Sequence, residues 1–131
     1  MEMWFSEFHT PDVKHSIRVN RQLYSKQSDY QRIDIFETPE FGRVLTLDGN
    51  VMLTERDEFI YDEMITHVPM AVHKEARDIL VIGAGDGGVV RELTRYDRVR
   101  HIDLVEPAVP IFREMPAGLM TGECIFIMKM H

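Results

Sequence analysis

The stretch Ile79-Leu80-Val81-Ile82-Gly83-Ala84-Gly85-Asp86-Gly87-Gly88-Val89-Val90-Arg91-Glu92-Leu93 decides the fold of this chain. Its first four residues are an apolar, branched run that reads as a buried parallel strand. A glycine-dense turn follows, and Val89 to Tyr96 then carries the spacing of an amphipathic helix. Glycines take positive φ and let backbone approach a ligand closely, and the start of the helix offers free N–H groups. About twenty residues further on, a second strand, His101-Ile-Asp-Leu-Val-Glu106, ends in a carboxylate. That layout is a nucleoside-binding α/β unit in which the acid takes both ribose hydroxyls. Asp86 is the unusual member, because a carboxylate in this loop repels a phosphate or an amino acid's carboxylate and attracts a cation. On these residues alone, Asp86 also fits a helix N-cap and Glu106 a strand-end surface acid.

The 131 residues suffice for one ordinary domain, or for one small and one incomplete domain. A net charge of −7 without a basic patch disfavours nucleic acid as a partner. No apolar run approaches the roughly twenty residues of a membrane span. The N-terminus, Met1-Glu-Met-Trp-Phe-Ser-Glu7, lacks the basic and apolar regions of a secretory signal. Cys124 is the only cysteine, and the six histidines show no metal-ligand spacing, so no metal site is expected. The default expectation is a cytoplasmic protein.

Residues 1–55 read as β. Ile17 to Leu23 is one expected strand, and Gln31-Arg-Ile33-Asp-Ile35-Phe36 alternates as a second. Gly42 to Leu47 and Val51 to Leu53 flank Asp48-Gly49-Asn50, a strong hairpin signal. Together these predict a small antiparallel sheet. Over 56–76, Thr54-Glu-Arg-Asp57 opens a helix that carries Phe59, Ile60, Met64, Ile65 and Val68 at helical spacing, read as core-facing, and Pro69 need not end it. The nucleoside-type unit spans 77–106. From 107 to 131 the character changes. Pro107 and Pro110 interrupt the place for a crossover helix, and the last stretch is rich in methionine and without clear periodicity. A doubly wound sheet needs more strands than the two found here, so the domain reads as unfinished.

From Tyr24 to Glu106 the sequence resembles the spermidine synthases, the polyamine aminopropyltransferases. The matching blocks are Tyr24-Ser-Lys-Gln-Ser-Asp-Tyr30-Gln31, Phe41 to Gly49, Thr54 to Met64, His67-Val-Pro69 and Gly83 to Gly88. The resemblance implies an α/β protein with an N-terminal β domain and a Rossmann-like, methyltransferase-type domain, incomplete in this chain. It implies transfer of an aminopropyl group from decarboxylated S-adenosylmethionine to putrescine, giving spermidine and methylthioadenosine, with no cofactor beyond that co-substrate. Carried over by position, Gln31 contacts the nucleoside, Gly83 and Gly85 form its cradle, Asp86 holds the donor's ammonium, and Glu106 the ribose diol. Tyr61 and Asp62 line the polyamine channel with Asp86. Asp62 stands where the family often has His or Gln, and Ala84 where a glycine is usual. The family's catalytic base is an aspartate in the motif Asp-Ser/Cys-Thr-Asp/Glu-Pro. This sequence lacks that motif, so no catalytic residue is assigned in it. The resemblance also implies a homodimer or homotetramer. Two other readings stay open: an S-adenosylmethionine-dependent methyltransferase, and a non-catalytic truncated subunit that associates with intact partners.

The tail departs from the family, which continues into a segment resembling Asp-Asp-Pro-Arg-Val-x-Ile-x-x-Glu-Asp-Ala. Reading the third base of each codon with the first two of the next makes Met120–Thr121 give aspartate, Met128–Lys129 glutamate and Met130–His131 alanine. Gly122–Glu123 then admits arginine, and Glu123–Cys124 only methionine or valine. The hypothesis is out-of-frame translation from roughly residue 107. It fails if the nucleotide sequence does not continue the family segment in another frame. On this reading the chain as written is expected to be poorly soluble, because strand edges stay open, and to have negligible activity.

Overall fold

The computed structural model describes residues 2–105. Glu106 and the 107–131 tail, with Cys124, lie outside the described residues, as does Met1. The chain divides into two compact units after Asp57.

The first unit is antiparallel β throughout. Strands β1 (Met3–Thr10) and β2 (Val13–Val19) form a hairpin, in register from Met3 opposite Val19. Strands β3 (Arg21–Gln27), β4 (Arg32–Thr38), β5 (Gly42–Leu47) and β6 (Asn50–Thr54) form a sheet in that order. The expected single strand over Ile17–Leu23 is therefore two. Ile17, Val19 and Leu23 keep one phase, with Arg21 as its single interruption. Yet the chain bends at Asn20, whose N–H donates to the Glu37 carbonyl at 2.8 Å, and passes from hairpin to sheet. Ile17, Val19, Ile33, Ile35, Val44 and Leu45 are buried as the core of this unit.

Two tight turns shape the sheet. Asp48 and Gly49 both have positive φ, 51° and 81°, the geometry of a type I′ hairpin that matches the twist of the flanking strands. The Asp48 side chain then accepts the Arg32 N–H at 2.8 Å, tying the turn to β4. Between β3 and β4, Ser28 Oγ accepts the Gln31 N–H at 2.9 Å and donates to the Gln31 carbonyl at 2.8 Å. Gln31 thus closes a turn one residue before β4, with its side chain half-buried.

The second unit begins with α1 (Glu58–Val72), which passes through Pro69 without stopping. Strand β7 (Asp78–Ile82), helix α2 (Gly88–Leu93) and strand β8 (His101–Val105) make a β-α-β unit. β7 and β8 pair in parallel, with Ile79 opposite Ile102 and Val81 opposite Leu104. Met70 of α1, Val81 of β7, and Val89 and Leu93 of α2 form its buried core, with Ile79, Ile102 and Leu104 packed against it.

Helix α1 inverts the expected face. Phe59, Ile60, Met64, Ile65 and Val68 are exposed, while Asp62, Thr66 and Met70 are buried. Those three residues recur every fourth position and share one face with Glu58. The reason is electrostatic and steric: Glu58 and Asp62 both bond Arg91, and Asp62 occupies the space beside Gly88 at the start of α2. The face of the parallel sheet carrying Leu80, Ile82 and Val105 is likewise exposed. Parallel sheets in folded domains are buried on both faces, so the described residues of this unit form part of a layered α/β structure.

Candidate functional site

The loop from Gly83 to Gly88 leaves the end of β7 and enters α2. Gly83 has φ 85°, and its N–H continues the ladder by donating to the Val105 carbonyl at 2.9 Å. Ala84 also has positive φ, 57°, an uncommon conformation for a residue with a Cβ. Gly85 is half-buried in the middle of the loop. Gly87, at φ 87°, donates to the Ala84 carbonyl at 3.0 Å and closes the turn. It is also the N-cap of α2, and no side chain caps this helix. Asp86 therefore does not stand at the N-cap position that its residue type suggested.

Asp86 Oδ1 is buried without a hydrogen-bond partner. Burial pushes its carboxyl above the usual carboxylate range, against the pull of the Gly88 and Gly87 amides, and the charge of Glu58 raises it further. A buried carboxylate oxygen with no donor is costly unless something positive meets it. An ammonium group is the simplest complement. Among the described residues no cluster of histidine, cysteine or carboxylate side chains could hold a metal.

Carboxyl groups and one arginine surround the start of α2. Arg91 donates two parallel hydrogen bonds to Glu58, at 3.0 and 2.9 Å, in the fork geometry of a guanidinium on a carboxylate. It also reaches Asp62 Oδ2 at 3.5 Å and Glu92 at 3.1 Å. Asp62 is only 2% exposed. Desolvation, a hydrogen bond with Glu58 and the negative charge of Asp86 push its carboxyl up to about 8. Glu58 moves the other way: the Arg91 and Asp62 hydrogen bonds outweigh its own desolvation and hold it below the usual range. Neutral Asp62 donating to charged Glu58 accounts for both directions.

The sequence-expected residues are thus distributed unevenly. Gly83, Gly85 and Asp86 lie along the loop between β7 and α2, and Asp62 meets the residue that ends it, Gly88. Tyr61, next to Asp62 in sequence, is 65% exposed on another face of the helix. Asp62, expected in the polyamine channel, is closed off from solvent. Gln31 belongs to the first unit, and Glu106 lies outside the described residues. Sequence reasoning missed Glu58 and Arg91. The spacing of Glu58 and Asp62, one helical turn apart, is the signal that would have paired them.

A β-α-β unit with a glycine loop between its first strand and helix, and a carboxylate held inside that loop, is the layout of the Rossmann-like class of α/β proteins. Comparison with known proteins narrows the class. The family described as the spermidine synthase tetramerisation domain matches residues 3–55, and the spermine/spermidine synthase domain matches 58–108. A polyamine aminopropyltransferase from Lachnoclostridium phytofermentans is 64% identical over 106 residues, covering 81% of this chain and 38% of that protein. Another from Alkaliphilus oremlandii is 61% identical over 106 residues, with 81% and 37% covered. Among solved structures, the spermidine synthase from Thermotoga maritima superposes with a TM-score of 0.76 at 48% identity, over 79% of this chain and 37% of that one. A spermidine synthase in complex with the transition-state analogue AdoDATO gives the same TM-score of 0.76 and 48% identity, over 79% and 36%. The chain belongs to the spermidine synthase family, of which it carries the N-terminal portion. It spans less than two-fifths of the length of these curated relatives.

Proposed function

We propose that this chain supplies the donor-binding side of a spermidine synthase, which moves an aminopropyl group from decarboxylated S-adenosylmethionine to putrescine and releases methylthioadenosine. The observation that carries the reading is the unpartnered, buried Oδ1 of Asp86 inside the glycine loop. The decarboxylated donor has a sulfonium and an ammonium but no carboxylate. Ordinary S-adenosylmethionine would bring its carboxylate against Asp86 and be repelled.

Gly83 and Gly85 let the backbone come close to the nucleoside, Gln31 contacts it, and Glu106 takes the ribose diol. Of the three residues carried over to the polyamine channel, Tyr61 and Asp86 line the path of the polyamine, and Asp62 meets Gly88 where the loop enters α2. The reaction is a displacement at the carbon beside sulfur. The amine lone pair forms the new C–N bond as the C–S bond breaks, and its electron pair returns to the sulfonium sulfur. The sulfonium is already a good leaving group, so alignment is the main requirement. The attacking amine, with a pKa near that of lysine at about 10.4, must first lose a proton. The base for that step belongs to the family motif that this sequence lacks. No cofactor beyond the donor is required. The match of residues 3–55 to a tetramerisation domain supports association of the whole protein as a homodimer or homotetramer. No helix is long and apolar enough to cross a membrane among the described residues, and we place the protein in the cytoplasm.

The test is calorimetric titration of the chain with decarboxylated S-adenosylmethionine and with S-adenosylmethionine. The decarboxylated donor should bind at least about tenfold more tightly, a difference of roughly 1.4 kcal/mol. Asp86→Asn should erase the preference. Equal binding of both sulfonium compounds by the unaltered chain would favour a methyltransferase and end the aminopropyl reading.

A further inference from the structure

Three carboxyl groups feel one another at the start of α2, and two of them, Glu58 and Asp62, bond the same cation. Glu58 and Asp62 come from α1, Asp86 from the loop, and Arg91 from the first turns of α2 itself. Glu92, the remaining acid there, is matched by Arg95 at 2.6 Å and His67 at 3.2 Å as well as by Arg91. Arg91 is already committed to Glu58 by two hydrogen bonds and reaches Asp62 only at 3.5 Å. A fully ionised set would leave a buried surplus of negative charge, which proteins avoid by neutralising a group. Asp62 is the group best placed for that. It is closed from solvent, hydrogen-bonded to Glu58 and in the field of Asp86.

Its position is also sterically defined. A Cβ at Gly88 would fall 1.8 Å from Asp62 Oδ2 and 2.4 Å from Cγ, so the carboxyl fills the place a side chain would take at the first residue of α2. Two residues before Gly88 stands Asp86.

We propose that Asp62 is a positioning residue for the glycine loop. Its carboxyl keeps a proton that it donates to Glu58, and in that form it seats Gly88 and so holds Asp86. When the proton leaves, Glu58, Asp62 and Asp86 repel one another and the loop shifts. The elevated pKa of Asp62 agrees with this arrangement and puts the transition on the alkaline side of neutrality. The proposal deepens the donor-binding reading, since Asp86 is the group that reading relies on. It is tested without ligand, so either can fail while the other stands.

The experiment follows backbone amide resonances of Asp86, Gly87 and Gly88 in the full chain from pH 5 to 10, with carbon-detected titration of the Asp62 carboxyl. The loop amides should move with the same midpoint as Asp62. Asp62→Asn, neutral and still able to donate to Glu58, should keep the loop amides near their low-pH positions and remove the alkaline transition. Asp62→Ala should displace them at every pH and speed their hydrogen exchange by about tenfold or more. Titration of Asp62 in the ordinary carboxylate range overturns the proposal. So does an Asp62→Asn chain whose loop amides still follow the alkaline transition. If Asp62→Ala does not fold, the wild-type and Asp62→Asn titrations decide alone.

Discussion

Gly88→Ala is the sharpest probe of the packing described above. The added Cβ would lie 1.8 Å from Asp62 Oδ2, 2.4 Å from its Cγ and 2.9 Å from Oδ1. An ordinary carbon–oxygen contact is about 3.3 Å, so the overlap is about 1.5 Å, more than small adjustments absorb in a close-packed interior. The backbone at Gly88 does not have positive φ, so the conformation itself is no obstacle. Alanine would even gain roughly 0.5–1 kcal/mol in helix preference over glycine. Against that stands overpacking, about 1–3 kcal/mol. To make room Asp62 must also give up its bond to Glu58, worth about 1.5–3 kcal/mol with a charged partner. The net expectation is a loss of about 2–5 kcal/mol, large beside the 5–15 kcal/mol that typically separates folded from unfolded domains. Urea unfolding of wild type, Gly88→Ala, Asp62→Ala and the double variant, followed by circular dichroism and by α1 and α2 amide resonances, measures it. Because one clash underlies the loss, Asp62→Ala should restore at least about 1 kcal/mol to the Gly88→Ala chain, a non-additivity expected only for residues in contact. A Gly88→Ala chain as stable as wild type, or strictly additive single effects, would refute the geometry.

Further outcomes follow from the same residues. Asp62 has a folded-state pKa of about 8 against an ordinary 3.8, so the folded chain binds the extra proton and stability must fall as pH rises between those values. Asp62→Asn should flatten that fall, by up to about 3 kcal/mol between pH 5 and 7; melting curves at both pH values check it, and an unchanged slope counts against it. Ala84→Gly relieves a positive-φ residue of roughly 1–2 kcal/mol of strain and returns roughly 0.4–1 kcal/mol to the unfolded chain, so it should stabilise slightly or be neutral in thermal melts. A loss above about 1 kcal/mol would show that its methyl matters more than its backbone. Gly49→Ala meets no atom within 4 Å, so the φ of 81° alone should set its cost, about 1 kcal/mol in denaturant unfolding of the first unit. The Asp86 carboxyl is raised by burial, so a cationic donor competes with a proton there; donor affinity in calorimetry should climb with pH through that titration, and a fall would contradict the role of Asp86.

Much of the architecture was legible in local sequence because its causes are local. Asp48-Gly49 announces a type I′ turn, since both positions need positive φ and these two residues tolerate it. The run Ile79 to Ile82 followed by glycines announces strand, loop and helix, and β7 and β8 pair as expected. The bend at Asn20 was not legible, because Ile17, Val19 and Leu23 keep one phase with Arg21 as its single interruption, while the backbone changes partner strand. The family, too, could be read from motif order, which the comparisons bear out.

Which face of α1 is buried is a different kind of fact. Hydrophobic spacing put Phe59, Ile60, Met64, Ile65 and Val68 inside, yet the helix buries Asp62, Thr66 and Met70 against α2. Spacing reports only which residues share a face. What meets that face depends on Arg91, twenty-nine residues after Asp62, and on the missing side chain at Gly88. Sequence alone therefore determined the Asp48-Gly49 hairpin, the strand-loop-helix-strand order of the β-α-β unit and the acid within its loop, because each follows from conformational preferences of neighbouring residues. Only tertiary structure decided that Asp62 is sealed beneath the loop with a displaced pKa. Burial, charge pairing and steric fit are properties of residues brought together by folding, and no window of sequence contains them.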